Sequence, residues 1–307
     1  MISFIVIGKN EGWRLEKCLA SSHQVIVKDG INDWEIVYVD SKSIDESINI
    51  AKRYDARPYL ITGECNAAIA RNIGAKEARG EVLFFIDGDM EIMAGFLPKV
   101  MNETGTLIYP FVSGIFNDIE YDKCWNYIRT TRRHKLREGN PDSVEVTTGG
   151  LFLITRVLWE QLGGMDNRLR RSQDYDFGLR MAEKNIPLHR KAILLANHYM
   201  VQYVVRNDYI LNSKYTALLL RKHWKNSHYL SLFIKQNYTA MVLLMMIILS
   251  WLFPWSWLAY LSVLLYKNIK QKNQIQYYWR PFARDVVLLF SIIGYYPAYP
   301  TIEYKSV

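Results

Sequence analysis

The chain is poor in cysteine: Cys18, Cys65 and Cys124 are too few and too scattered in 307 residues for a disulfide framework. None stands in a CxxC spacing, so structural zinc is not expected, and the set suits a reducing compartment. No basic n-region or small-residue cleavage site precedes the strand-like sequence at Ile2, so no signal peptide is expected. Internal repeats and low-complexity segments are lacking too. Acidic residues are scarce in the last third, where Val201 to Val307 carries 12 Lys and Arg against Asp208, Asp285 and Glu303. The overall charge of +8 therefore belongs to that region, and the first 200 residues are close to neutral. Basic residues interleaved with Trp, Tyr and aliphatic runs suit an anionic membrane surface better than nucleic acid. Half of the chain is apolar, which excludes disorder, and its length allows one large α/β domain with an appendage.

Over the first 90 residues two periods alternate. SFIVIG, WEIVYVD, ARPYLI and EVLFFI read as strands, and EGWRLEKCLASS, DESINIAKRY and NAAIARNIGAKEA as helices. Alternation at these lengths predicts a parallel sheet covered by helices on both faces, with a ligand beyond the C-terminal ends of the strands. Those ends carry Asn10 and Glu11, Asp40 with Ser41, and Asp87 with Asp89. From Ile92 to Pro141 the pattern is mixed, and the basic run RTTRRHK at Arg129 to Lys135 reads as a solvated face. Further on come a helix stopped by Gly163-Gly164, an amphipathic helix opening with Gln173, Asp174 and Asp176, and the strand KAILLANHY, which delivers His198.

The apolar run Val82 to Ile86 stops on Asp87-Gly88-Asp89. Two carboxylates spaced by a glycine at a strand end can converge on one hard cation, and the paired charges repel unless a cation lies between them. An Asp-Gly turn with no ligand is the plain alternative. Asp174 can equally be a helix N-terminal carboxylate, Asp40 a turn and helix cap, Arg71 a surface residue, Gly149-Gly150 a flexible turn, and His198 a structural histidine.

Asn10-Glu11, Asp40 to Asp45, Arg71-Asn72, Asp87-Gly88-Asp89, Gly149-Gly150, Gln173-Asp174 and Arg180, in this order over Ile2 to Tyr199, resemble the family 2 glycosyltransferases. The resemblance implies the GT-A fold, a Rossmann-like, mixed and mostly parallel sheet flanked by helices. It further implies inverting transfer of a sugar from a nucleotide diphosphate to an acceptor hydroxyl, assisted by Mg2+ or Mn2+. On that reading Asp89 with Asp87 holds the cation and His198 is a third ligand. Asn10, Glu11, Asp40, Arg71 and Asp87 bind the nucleotide sugar; Gly149, Gly150 and Gln173 face the acceptor. Asp174 is the general base that takes the acceptor's proton. Gln173 stands where Glu is usual, which puts the acceptor type in question and leaves open a non-catalytic nucleotide-sugar-binding or scaffold protein. A nucleotidyltransferase would show a Gly-rich loop bearing Arg or Lys after the first strand, and IGKNEG does not match it.

The expected organisation is a catalytic domain over 1–206 and a basic, apolar helical region over 207–307. Thr239 to Tyr266 carries no charge and would make a helix of about 42 Å. Both of its flanks are basic, and Pro254 divides it into pieces of roughly 15 and 12 residues, each short of a ~20-residue span. A re-entrant or interfacial hairpin on the cytoplasmic face of a membrane is therefore expected ahead of a full span. Packing against the catalytic domain or in a homo-oligomer interface is the alternative. The acceptor expected for such an enzyme is a glycan or a lipid-linked sugar of envelope polysaccharide synthesis.

Overall fold

The computed structural model describes residues 1–134, 136, 138–201, 208–271 and 275–307. The expected boundary at 206/207 and Lys135 of the basic run lie outside the described residues. Two compact units emerge: Met1–Gln202 with Tyr299–Val307, and Tyr203–Ala298.

The first unit contains β1 (Ile2–Gly8), α1 (Trp13–Lys28), β2 (Trp34–Asp40), α2 (Ser47–Arg53), β3 (Arg57–Ile61), α3 (Ala67–Glu77), β4 (Val82–Asp87), β5 (Met90–Ile92) and α4 (Leu97–Val100). β6 (Phe111–Tyr121), β7 (Tyr127–Arg132), β8 (Ser143–Glu145), β9 (Phe152–Thr155), α5 (Arg156–Leu162), α6 (Gln173–Glu183) and β10 (Leu188–Val201) follow. Strand β1 runs parallel to both β2 and β4, with Ile7 opposite Val39 on one side and Asp87 on the other. Alternate residues of β1 enter different cores. Phe4 and Val6 pack with Leu15, Cys18 and Leu19 of α1, whereas Ile5 and Ile7 pack with Ile69 and Ile73 of α3. Burial on both faces is why these strands are unbroken apolar runs; each large aliphatic or aromatic side chain contributes roughly 1.5–3 kcal/mol.

The sheet is mixed beyond β4. β9 is antiparallel to both β4 and β6, which returns β6 and β10 to the direction of β4. The C-terminal ends of β1, β2, β4, β6 and β10 thus share one edge. Asn66 caps α3 by accepting from the Ile69 amide at 3.0 Å, and α5 ends at Gly163 in the left-handed region, as the Gly-Gly pair predicts. The mixed stretch after Ile92 resolves into the long β6 and its hairpin partner β7. Arg129 of the basic run is mostly exposed and pairs with Glu120 of β6.

The last nine residues do not stay with the helical region to which their position assigns them. Strand β11 (Tyr304–Ser306) adds antiparallel to β3 at the sheet edge. The Glu303 carbonyl accepts from the amides of Thr62 and Gly63, and the Tyr304 hydroxyl donates to Glu77 at 2.6 Å. An otherwise open edge strand is covered in this way.

The second unit is helical: α7 (Asp208–Leu211), α8 (Ser213–His223), α9 (Ser227–Gln236), α10 (Tyr238–Leu249), α11 (Trp257–Lys270) and α12 (Arg280–Gly294). Leu243, Met246, Tyr260 and Leu264 form the small core between α10 and α11. Buried polar groups join the helices: Lys267 donates to Thr239 at 3.1 Å, and Tyr260 to Asp285 at 3.2 Å. Arg221 caps the last turn of α12 through the carbonyls of Ser291 and Ile292. The chain breaks between α10 and α11 through a short turn at Pro254–Ser256, where Trp251 is 91% and Trp255 81% exposed. Among the described residues no single helix is long and apolar enough to cross a membrane; α9 and α10 pass that test only as a pair bent by 79°.

Candidate functional site

The shared sheet edge gathers most of the expected site residues around a cavity of about 390 Å³, lined by Lys9, Glu11, Ser41, Asn66, Asp87 and Asp89 among others. Each arrives where a strand ends. Asn10, with φ at 56°, turns the chain out of β1; its amide donates to Ser43 Oγ and its Oδ1 accepts from the Ile44 amide, both at 2.8 Å. Asp40 is fully buried at the end of β2, accepting from the Ser43 amide at 2.7 Å and the Tyr38 hydroxyl at 2.9 Å. Its oxygens therefore fix the turn that carries Ser41.

Arg71, expected to bind the nucleotide sugar or to lie on the surface, is not a surface residue. It is buried at 2% exposure, and its Nη2 meets Asp87 Oδ1 at 2.5 Å. Asp87 is pushed up by burial and by Asp89, and the Arg71 guanidinium opposes the shift. Gly150 completes this contact. It has φ at +86°, and a Cβ there would lie 2.2 Å from Asp87 Oδ2 and 3.0 Å from Arg71. The Gly149-Gly150 loop, expected beside an acceptor, thus backs the first carboxylate of the pair. Only a glycine permits both the backbone angle and the approach.

Asp89 faces two cationic groups through Oδ2: His198 Nε2 at 3.3 Å and Arg14 Nη1 at 3.7 Å. Its Oδ1 is buried with no hydrogen-bond partner. His198 is held from behind, since Nδ1 lies 2.7 Å from Asp118. Burial opposes a charge on this imidazole, but the hydrogen bonds to Asp118 and Asp89 outweigh it and raise the group to about 10. Burial and the Asp89 charge push the Glu11 carboxyl up to about 7, although Arg14 pairs with it at 2.6 Å. Three carboxylates in one small space are balanced by Arg14, Arg71 and His198. Among the described residues no three His, Cys, Asp or Glu side chains form a metal cage by themselves.

Gln173 and Asp174 sit half-buried in the first turn of α6, where the helix dipole favours negative charge. Among the described residues the Asp174 carboxylate makes no hydrogen bond or ion pair, and Gln173 Oε1 is buried without a partner. Asp176 behaves differently: it is fully buried against Arg180 at 3.0 Å, and Arg180 also donates to the carbonyls of Leu162 and Gly164. That makes the Asp176–Arg180 pair a brace for the loop before α6. Asn72 ties the same loop to α3 through Met165 and Asn167. Helix α6 also lies close to the bend that follows β8, because a Cβ on Gly178 would fall 1.6 Å from the Val146 carbonyl oxygen.

Besides Lys9 and Asn66 of the cavity lining, Arg14 and Asp118 escape the sequence reading. Arg14 follows Glu11 by three positions at the start of α1, a pairing distance that could have been noticed. Asp118 carried no local signal. Its role depends on the register between β6 and β10, which sets it opposite His198.

The solved structures similar to this fold are glycosyltransferases. A crystal structure of GalNAc-T7 with UDP, GalNAc and Mn2+ superposes at a TM-score of 0.59 with 16% identity, covering 95% of this chain and 59% of that one. The Staphylococcus aureus TarS 1-349 structure superposes at 0.52 with 15% identity, covering 71% of this chain and 65% of the other. The fold is therefore of the GT-A type. In sequence, a probable N-acetylgalactosaminyltransferase 7 of Caenorhabditis elegans is 24% identical over 202 residues, covering 55% of this chain and 33% of the relative. This chain thus spans about a third of that relative's length. Residues 3–158, just over half of the chain, match the profile described as Glycosyl transferase family 2. With the ordered motifs and the sheet-edge site in place, the chain belongs to glycosyl transferase family 2.

Proposed function

We propose that this chain is an inverting, divalent-cation-assisted glycosyltransferase that moves a sugar from a nucleotide diphosphate to a hydroxyl of a glycan or lipid-linked acceptor. The observation that carries this reading is Asp89: a half-buried carboxylate with one buried, unpartnered oxygen, its other oxygen facing His198, in the lining of the sheet-edge cavity. Asp89 and His198, the latter giving up its proton, would offer one carboxylate and one imidazole to Mg2+ or Mn2+, with diphosphate oxygens and water supplying the remaining ligands. A cation bound there supplies Lewis-acid stabilisation of the charge on the departing diphosphate. Support for the donor class comes from the neighbours, since TarS was crystallised with UDP and with UDP-GlcNAc and GalNAc-T7 with UDP and Mn2+.

In this reading Asp89 and His198 hold the cation, and Arg71 with Gly150 aims Asp87 toward it. Ser41, Lys9 and Asn66 line the space for the nucleoside and diphosphate. Asp174, without a hydrogen-bond or ion-pair partner among the described residues, takes the acceptor's proton as the hydroxyl attacks the anomeric carbon opposite the leaving group. The neutral Gln173 offers its unpartnered oxygen to an acceptor hydroxyl.

The second unit is assigned to the cytoplasmic face of a membrane, in keeping with an envelope-polysaccharide acceptor. Exposed Trp251, Leu252, Phe253 and Trp255 at the break between α10 and α11 would enter the headgroup region, with basic residues on either side. The direct test is thermal stabilisation of the purified protein by UDP-, GDP- and dTDP-sugars with Mn2+. One donor class should raise Tm in an Mn2+-dependent way, followed by slow donor hydrolysis. No shift with any donor would contradict the reading.

A further inference from the structure

Beside the cation site, three aromatic side chains meet near the surface of the first unit over a fourth, Tyr199, which is buried at 6% exposure. Trp13 opens α1, Tyr121 ends β6, Trp125 lies in the β6–β7 turn and Tyr199 belongs to β10. The Trp13 ring stands 5.2 Å from Trp125, 5.4 Å from Tyr199 and 6.2 Å from Tyr121, each nearly edge-to-face. None of the four belongs to either main core cluster, and Trp13 and Trp125 each remain 38% exposed.

The placement of Trp125 is built in. Its φ is +62°, a region that costs a residue with a large side chain. Asp122 holds the turn by accepting from the amides of Cys124 and Asn126 and from the Asn126 side chain. A strained, exposed tryptophan fixed by three hydrogen bonds adds little to the core. It presents an aromatic surface.

That surface is joined to the site by one guanidinium. Arg14 lies 5.0 Å from the centroid of Trp125, pairs with Glu11 at 2.6 Å, approaches Asp89 at 3.7 Å and donates to the Tyr199 carbonyl at 3.2 Å. Lys17 adds a second cation over the Tyr199 ring at 5.3 Å. The exposed Trp13 and Trp125 rings and the half-buried Tyr121, packed over a buried Tyr199 and edged by a lysine, match an amphipathic ligand whose flat C–H face is ringed by hydroxyls. The aromatic group also lies on the β6 and β10 side of Asp89, away from Ser41 and Asn66.

We propose that Trp13, Tyr121 and Trp125, backed by the buried Tyr199 and held by Arg14, form a carbohydrate subsite that seats a pyranose ring of the acceptor glycan, with Lys17 bonding its hydroxyls. The inference rests on the glycosyltransferase reading and extends it from the donor to the acceptor. Its test uses the full chain on a printed array of glycans, with UDP and Mn2+ present, and compares wild type with Trp125→Ala and Trp125→Phe. UDP–Mn2+ affinity of all three proteins is measured by calorimetry in parallel.

Wild type should capture a defined set of glycans, Trp125→Ala should weaken capture about tenfold, and Trp125→Phe should restore most of it, with UDP affinity unchanged throughout. Wild-type protein that captures no glycan while binding UDP, or Trp125→Ala that captures as well as wild type, overturns the subsite. So does loss of UDP binding in Trp125→Ala, which would make the aromatic group a support for Arg14. If wild type binds no UDP at all, the donor reading has failed, and glycan capture still reports on the platform separately.

Discussion

Asp118 and His198 lie opposite each other on adjacent parallel strands, and the Asp118 carboxylate accepts from His198 Nδ1 at 2.7 Å. This contact fixes the ring so that Nε2 points at Asp89. Asp118, His198 and Asp89 therefore form one hydrogen-bonded chain that ends at the cavity lining with Asp89. Asp118→Asn removes the charge behind the ring while keeping its shape. Mn2+ affinity in the presence of UDP should fall about 10- to 100-fold by calorimetry, with little change in Tm. Unchanged Mn2+ affinity would remove His198 from the site.

Gly150 offers a test that changes no ionisable group. An added methyl at φ +86° would collide with Asp87 and crowd the Arg71 contact. Gly150→Ala should therefore weaken UDP–Mn2+ binding at least tenfold while far-ultraviolet circular dichroism stays native. Retained affinity would show that Asp87 need not be held from this side.

The C-terminal strap should matter to the donor pocket although it touches no donor. Glu303 holds the amides of Thr62 and Gly63, just before the Cys65–Ala67 wall of the cavity. Ending the chain after Ala298 removes these bonds and exposes the edge of β3; each lost backbone hydrogen bond costs about 1 kcal/mol. A lower Tm and weaker UDP binding are expected together. For the same reason, cutting away everything after 206 is a poor test of the helical unit, because it also deletes β11.

The hairpin between α10 and α11 can be tested without truncation. Trp251→Ser with Trp255→Ser should reduce co-sedimentation with phosphatidylglycerol vesicles in high salt, where the basic flanks are screened. Equal binding by the double variant would assign these exposed side chains to a protein interface.

Much of this architecture was legible in the sequence, because the strands up to Asp87 are buried on both faces and announce themselves as apolar runs ending in polar residues. The order of Asn10, Glu11, Asp40, Asp87 and Asp89 along one edge follows from that pattern alone. Long-range pairing was not legible. The reversal at β9, the meeting of Asp118 with His198 and the return of β11 to β3 depend on strand register, which carries no local code. Nor does residue type announce that Arg71 pairs with Asp87, or that Asp40 holds Ser43 and Tyr38, since those partners come from another segment, from the turn or from the strand itself.

The central claim is that one carboxylate holds the cation and another takes the proton. It is tested most directly by measuring UDP–Mn2+ affinity and acceptor-dependent turnover in Asp89→Ala and Asp174→Asn side by side. Asp89→Ala should lose Mn2+-dependent UDP binding, whereas Asp174→Asn should bind UDP as wild type does and lose turnover by about 10² to 10⁴. Full donor affinity in Asp89→Ala, or wild-type turnover in Asp174→Asn, would contradict the account.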